Sequence, residues 1–221
     1  MTKRARDPRP PKHAIILCHP APASFTGSVA ERYRETALAN GQDVVVRDLY
    51  RVGFDPVLKA RERPTVAGFK LSDDVTAEIA LIGDADILVL VYPLWFGTPP
   101  AMLKGYVERV FGAGFSHEAV RKRARHPMLT GKRLISFTSS GAPKPWLQEQ
   151  GAWMSLRNVF DMYLARAFSM REPEHIHFGS VVDGMKQRFV DEYLYKVEQE
   201  TRRICAEGAA STRRGRASET A

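Results

Sequence analysis

Short, almost purely apolar runs alternate along this chain with stretches in which apolar residues return every three or four positions. The runs are residues 13–18, 43–47, 86–92 and 132–138, with a weaker fifth at 174–182. Continuous hydrophobicity over five to seven residues suits strands covered on both faces, as parallel strands are. Between the runs, Val29, Tyr33 and Ala37 recur every four residues, as do Leu103, Val107 and Phe111. Trp153, Leu156, Phe160 and Leu164 follow a 3-4-4 spacing, and Phe189, Tyr193 and Val197 mark a last helix. These spacings place each set on one helical face.

Strands alternating with helices predict an α/β fold, an open, doubly wound five-stranded parallel sheet with helices on both faces and ligands bound beyond the carboxyl ends of the strands. One domain is expected over residues 13–207, with a disordered basic tail at 1–12 and a second tail at 208–221 too poor in apolar residues to order itself. Two connections, Asp48 to Leu71 and Ala113 to Thr130, exceed the usual two to six residues or so and are expected to serve a site or an interface.

Composition narrows the class. The richest apolar stretch, Ile87 to Phe96, falls short of the roughly 20 residues that cross a bilayer, so membrane insertion is not expected. The apolar run Ala14 to Cys18 is shorter than the core of about 7–15 residues a secretory signal needs, and a cytoplasmic protein with reduced Cys18 and Cys205 is expected. The net charge of +8 sits mostly in the two tails, leaving the body near neutrality, which argues against nucleic-acid binding. Arg121, Lys122, Arg123, Arg125, Lys132 and Arg133 form a basic run within the body, read either as a solvated face or as a device that steers anions toward a pocket.

Three strand ends carry candidate chemistry. After the first strand, His19-Pro-Ala-Pro-Ala-Ser24-Phe25-Thr26-Gly-Ser28 lacks the glycine pattern of a dinucleotide turn or a P-loop. Ser24, Thr26 and Ser28 place hydroxyls at a helix start, either as a neutral phosphate cup or as simple N-caps. After the third strand, Pro93-Leu94-Trp95-Phe96-Gly97 sets two aromatics at a strand lip, to stack on a flat ligand or to pack on a neighbouring helix. After the fourth, Thr138-Ser139-Ser140-Gly141 offers small residues and backbone N–H groups to a polar ring edge, or forms an ordinary turn. Phosphate cup, stacking wall and polar edge together are what a flavin requires. The six histidines show no metal-binding spacing; His175 and His177, two apart, share one strand face and read as structural.

Four blocks of the sequence resemble the flavodoxin-like NAD(P)H:quinone oxidoreductases, over residues 13 to 205. The blocks are His19-Pro with Ser24-Phe25; Asp48-Leu-Tyr50 with Phe54-Asp-Pro56; Pro93 to Gly97 with Pro100-Ala-x-Leu-Lys-Gly-Tyr106; and Arg109-Val-Phe111 with Gly114-Phe115. The resemblance implies a flavin-dependent enzyme in which NAD(P)H reduces the flavin and the flavin reduces a quinone. The motifs are most similar to those of members that use FAD rather than FMN. It further implies that His19, Ser24, Phe25 and Thr26 contact the flavin phosphate or ribityl chain, that Pro93, Leu94, Trp95 and Phe96 border the isoalloxazine ring, and that Thr138, Ser139, Ser140 and Gly141 meet its pyrimidine edge.

The same family includes flavin-binding regulatory subunits of membrane ion-efflux systems, which makes such a subunit the alternative reading. Members also dimerise, and Trp146, Trp153, Met154, Phe160, Met162 and Tyr163 put apolar groups around more of one helix than a sheet contact can cover, so a homodimer is expected. One departure stands out. The Tyr and downstream His that assist hydride transfer in well-known members are missing from Ser140 to Trp153, and no catalytic acid or base is named. Backbone N–H groups of the 139–141 turn are expected to stabilise the developing charge unaided, with little pH dependence near 6.5.

Overall fold

A computed structural model describes the backbone of residues 9–219 and the side chains of residues 9–208. Most of the N-terminal tail expected at 1–12 lies outside the described residues. Its end does not behave as a tail: Arg9 donates to the Asp86 carboxylate at 3.0 Å, and Lys12 already belongs to the first strand.

Five strands, β1 (Lys12–Leu17), β2 (Asp43–Asp48), β3 (Ile87–Pro93), β4 (Arg133–Ser139) and β5 (Glu174–Phe178), form one parallel sheet in the order β2-β1-β3-β4-β5. The weak fifth run, read as 174–182, pairs only as far as Phe178, and the remainder forms a loop.

Strand alternation divides the core into two layers. Ile15, Val89, Val91, Ile135, Phe137, Ile176 and Phe178 face Val29, Tyr33 and Ala37 of helix α1 (Phe25–Ala39) and Val197, Ile204 and Cys205 of the C-terminal helix. Ala14, Ile16, Leu88, Leu90, Tyr92 and Leu134 face the other way, toward α2 (Asp73–Ile82), α3 (Ala101–Tyr106) and a third helical group. After α4 (His117–Arg121) and α5 (Lys144–Glu149), that group runs through α6 (Ala152–Leu156) and α7 (Tyr163–Ala167). The stretches following α3 (Val107–Phe111) and α6 (Arg157–Met162) are wound as π-helix. Leu103, Val107 and Phe111 all remain buried across the first of these.

The last helix, α8, spans Gln187–Glu219 and crosses residue 208, where a disordered tail was expected to begin. The segment is rich in Ala and Arg, good helix formers that extend a helix already nucleated more cheaply than they could start one. The basic run also breaks up in three dimensions. Lys122 pairs with Glu118 at 2.7 Å, Arg133 with Glu174 at 2.6 Å and Glu207 at 2.9 Å, and the Lys132 ammonium donates to the carbonyls of Gly83 and Ala85. At least three of its cations are therefore spoken for.

Candidate functional site

The strand order reverses between β1 and β3, and ligands in such sheets bind outside the carboxyl ends of the strands near that point. A cleft of about 530 Å³ opens there. Of the residues singled out at the three strand ends, His19, Ser24, Phe25, Thr26, Pro93, Leu94, Trp95, Ser139, Ser140 and Gly141 line it. Phe96 and Thr138 do not. A smaller cavity of about 330 Å³, lined by Lys132, Arg133 and Arg171, lies at the opposite, amino-terminal end of β3 and β4.

The first cup is built by the start of α1. Ser24 is extended (φ −136°) and its Oγ accepts from the Gly27 N–H at 3.1 Å, so it caps the helix while also lining the cleft. Ser28, by contrast, donates its hydroxyl to the Ser24 carbonyl at 3.3 Å and lies outside the cleft. His19 Nδ1 accepts from the Ala21 N–H at 3.0 Å, which holds the ring against Trp95 with centroids 5.9 Å apart. Phe25 packs edge-on to Phe178 and Tyr193, fixing the entry of α1 over the sheet.

The aromatic turn is a tight hairpin. Trp95 and Thr98 exchange two backbone hydrogen bonds of 3.1 Å, and Phe96 (φ 50°) and Gly97 (φ 78°) occupy the two positive-φ positions between them. That is the geometry of a two-residue turn of type I′, which glycine adopts freely and phenylalanine only under strain. The hairpin leaves Phe96 fully exposed and outside the cleft lining, and places Trp95, 40% exposed, within it. Of the two aromatics expected to border a ring, only Trp95 lines the cleft.

At the third strand end, the 139–141 turn is held on both sides. The Ser140 N–H donates to the Phe178 carbonyl at 3.0 Å, and the Val181 N–H donates to the Ser140 carbonyl at 2.9 Å. The second of these bonds brings in the connection after β5. Val181, Val182, Asp183, Gly184 and Met185 close the cleft on this side, together with Val190. Sequence reading missed this segment because it extended the fifth strand through Val182. The Asp183-Gly184 pair, with Gly184 at φ 75°, was the available turn signal.

Thr138 lies directly beneath the turn, buried, where parallel pairing sets it beside His177 and sets Ser136 beside His175. Its Oγ1 is 2.7 Å from His175 Nε2 and 2.8 Å from His177 Nδ1. His177 Nε2 lies 3.0 Å from Ser140 Oγ at the cleft edge. His175 Nδ1 lies 2.5 Å from Asp161 Oδ2, whose other oxygen accepts from Ser136 at 2.9 Å. Asp161 comes from the second π-helical stretch, a feature frequent at functional sites. Trp153 covers both imidazoles, with centroids 4.6 Å from His175 and 5.3 Å from His177, and Lys144 lies over the Trp153 ring. Burial, the neighbouring His175 and the cations of Lys144 and Lys196 push the His177 imidazolium down to about 4. The turn thus has an imidazole behind it after all, delivered by β5 and not by the 143–153 stretch.

A family model described as flavodoxin-like fold matches residues 11–201. An uncharacterized NAD(P)H oxidoreductase of Haemophilus influenzae is 31% identical over 170 residues, covering 76% of this chain and 84% of that protein. NAD(P)H dehydrogenase [quinone] 1 of Cavia porcellus is 32% identical over 146 residues, covering 58% of this chain and 53% of that longer protein. Among solved structures, the NAD(P)H:quinone oxidoreductase from Methanothermobacter marburgensis superposes with a TM-score of 0.74 at 28% identity, over 88% of this chain and 96% of that one. The sheet order, the cleft at its switch point and these relatives together make the chain a member of the flavodoxin-like fold family and, within it, an oxidoreductase.

Proposed function

We propose that the cleft holds a flavin and that the protein passes reducing equivalents from NAD(P)H to a quinone-like acceptor. One observation carries this reading: a single cleft gathers a helix start with hydroxyls, an indole wall and a small-residue turn from three successive strand ends. The donor set suits the group. Among the described residues of the lining Asp183 is the only Lys, Arg, Asp or Glu, so a phosphate at the start of α1 would be met by neutral hydroxyls and backbone N–H groups of its first turn. When bound, a flavin supplies two-electron chemistry between a nicotinamide and an acceptor.

In this reading Ser24, Phe25 and Thr26 hold the phosphate and ribityl end, and His19 packs against the wall that Trp95 forms with Pro93 and Leu94. Ser139, Ser140 and Gly141 address the pyrimidine edge. These residues meet the part that FMN and FAD share. The family resemblance points to FAD, and identifying the flavin released from purified protein by mass decides between the two. Trp95→Ala removes the stacking wall and is expected to weaken flavin binding roughly ten- to a hundredfold by fluorescence titration. A colourless preparation that also fails to bind added FMN or FAD ends this reading.

We further propose a homodimer. Trp153 and Phe160, counted in sequence as surface groups, are core residues at 7% and 5% exposure, which removes them from the expected interface. Of the expected set Met162 is half-buried, and Trp146, Met154 and Tyr163 remain at least half exposed on α5, α6 and α7; with Val159 of the π-helical stretch, which the sequence reading did not count, they form an apolar surface of the kind that marks an interface. Light scattering at micromolar concentration is expected to give twice the chain mass. A fully active monomer would remove the dimer from the reading.

A further inference from the structure

We propose that Ser140, His177, Thr138, His175 and Asp161 form a proton relay that takes up one proton at the cleft and stores it as a His175 imidazolium paired with Asp161. The inference rests on the oxidoreductase reading above for its use, because a quinone that receives a hydride needs one proton besides to become a hydroquinone. Its existence rests on the hydrogen-bond chain alone.

With Asp161 ionised and the Thr138 hydrogen engaged within the chain, two patterns remain. An ionised Asp161 only accepts, so His175 Nδ1 carries hydrogen in both. In the first pattern every remaining bond points inward. The Ser140 hydroxyl turns from the Ala142 carbonyl to donate to His177 Nε2, His177 Nδ1–H donates to Thr138 Oγ1, and the Thr138 hydroxyl donates to His175 Nε2. Both imidazoles are then neutral.

A proton arriving at Ser140 Oγ reverses the direction. The hydrogen that Ser140 already held moves to His177 Nε2, the one on His177 Nδ1 moves to Thr138, and the one on Thr138 moves to His175 Nε2. Four N–H or O–H bonds form and three break, one proton is gained, and no electrons move. In this second pattern Ser140 donates to the Ala142 carbonyl, which lies 2.7 Å from its Oγ. The stored charge sits beside Asp161, whose side chain and that of His175 are each 1% exposed. His177 is neutral in both patterns, consistent with its burial and with the Lys144 and Lys196 cations that face it from α5 and α8. Release toward an acceptor in the cleft runs the same transfers backward.

The pattern makes a prediction that no merely structural pair of histidines shares. Protonation of His175 must switch the tautomer of His177 from Nδ1–H to Nε2–H, with one midpoint for both. The test is a pH titration, between about pH 5.5 and 9, of the full chain labelled with ¹⁵N-histidine and freed of flavin, read by imidazole nitrogen shifts. His175 is expected to become imidazolium while His177 stays neutral and exchanges its protonated nitrogen. Thr138→Val is expected to abolish the coupling, and Thr138→Ser, which keeps the hydroxyl, to retain it. If Thr138→Val does not fold, Asp161→Asn serves instead, and is expected to remove the imidazolium signal of His175.

A His177 that keeps one tautomer through the His175 transition, an absence of any His175 transition, or coupling that survives Thr138→Val would overturn the relay. In the flavin-loaded protein, reduction by NADH at constant pH is expected to produce the same paired shift, and its absence would overturn the relay's role in turnover. A protein that binds no flavin yet shows the coupled switch refutes the flavin reading and keeps the relay. A yellow protein with independent histidines does the opposite.

Discussion

Replacing Arg109 with alanine is expected to destabilise the protein by about 3–5 kcal/mol, the cost typical of breaking a buried ion pair from one side. Arg109 is 1% exposed and spends all five of its N–H donors. Nε and Nη2 grip the two oxygens of Glu62 at 2.9 and 2.6 Å, Nη1 and Nη2 reach Asp74 at 2.7 and 3.0 Å, and Nη1 also donates to the Asp55 carbonyl. Phe54 lies against the guanidinium, 5.3 Å from its ring centre. Alanine would strand the buried Glu62 carboxylate, whereas Asp74, partly exposed, can rehydrate. Lysine has three donors and no planar fork, so Arg109→Lys is expected to recover only part of the loss. Equilibrium urea unfolding measures both. A loss below about 1 kcal/mol for Arg109→Ala would show that the pair is not held as described.

Acid reads the same pair. Hydrogen bonds from Arg109 hold the Glu62 carboxyl down at about 2, below its ordinary 4.5. A carboxylate depressed in the folded state stabilises it fully above the unfolded value and loses that contribution as pH falls from about 4.5 toward 2. The shift corresponds to stabilisation on the order of 3 kcal/mol. Unfolding free energies of the parent are therefore expected to fall through this window, and those of Glu62→Gln to fall less.

Gly105→Ala is the second large effect expected. A Cβ at this position would lie 2.3 Å from the Pro56 carbonyl oxygen, 2.4 Å from Pro56 Cβ and 2.6 Å from Pro56 Cα. Two of these are backbone atoms, so relief requires lifting the 54–56 segment off α3, at about 3 kcal/mol or more. Phe54 would also leave Tyr106, now 5.0 Å away centre to centre, and Asp55 would leave Arg109. Because both substitutions loosen the same segment, the double variant is expected to cost less than the sum of the singles. Near-wild-type stability for Gly105→Ala would contradict the close approach.

These two positions show what the motif blocks do. Phe54-Asp55-Pro56 meets Gly105, Tyr106 and Arg109, distant from it in sequence, in one clamp that fastens the long connection after β2 to α3 and the turn that follows it. The connection was expected to serve a site or an interface because of its length. The described contacts of residues 54–62 are instead largely with the helices that cover the sheet.

The fold class was legible because it depends on local periodicity. Apolar runs bounded by helical spacings identified all five strands to within a few residues, and the doubly wound arrangement followed from their alternation with helices. The strand ends that line the cleft were legible for the same reason: in such a sheet the residue after a strand is at the ligand-binding edge whatever its neighbours are.

Other features depended on contacts between distant segments, which local pattern does not encode. The helical spacing of Trp153 and Phe160 was visible, but whether those side chains face a partner or the sheet depended on what packs above them. Phe96 read like Trp95 until the hairpin set Trp95 in the cleft and left Phe96 in solvent. His175 and His177 were visible as a pair on one strand face, since that needs only a period of two. That their partners are Thr138, Ser140 and Asp161 is decided by the pairing of β4 with β5 and by a π-helical stretch passing over both. A shift of one residue in that pairing would have turned the imidazoles to the opposite face. The sequence by itself determined the sheet, the cleft's position and much of its lining; tertiary structure decided which groups stand behind the cleft, because hydrogen-bond partners separated by up to 39 residues are chosen by strand register and helix docking.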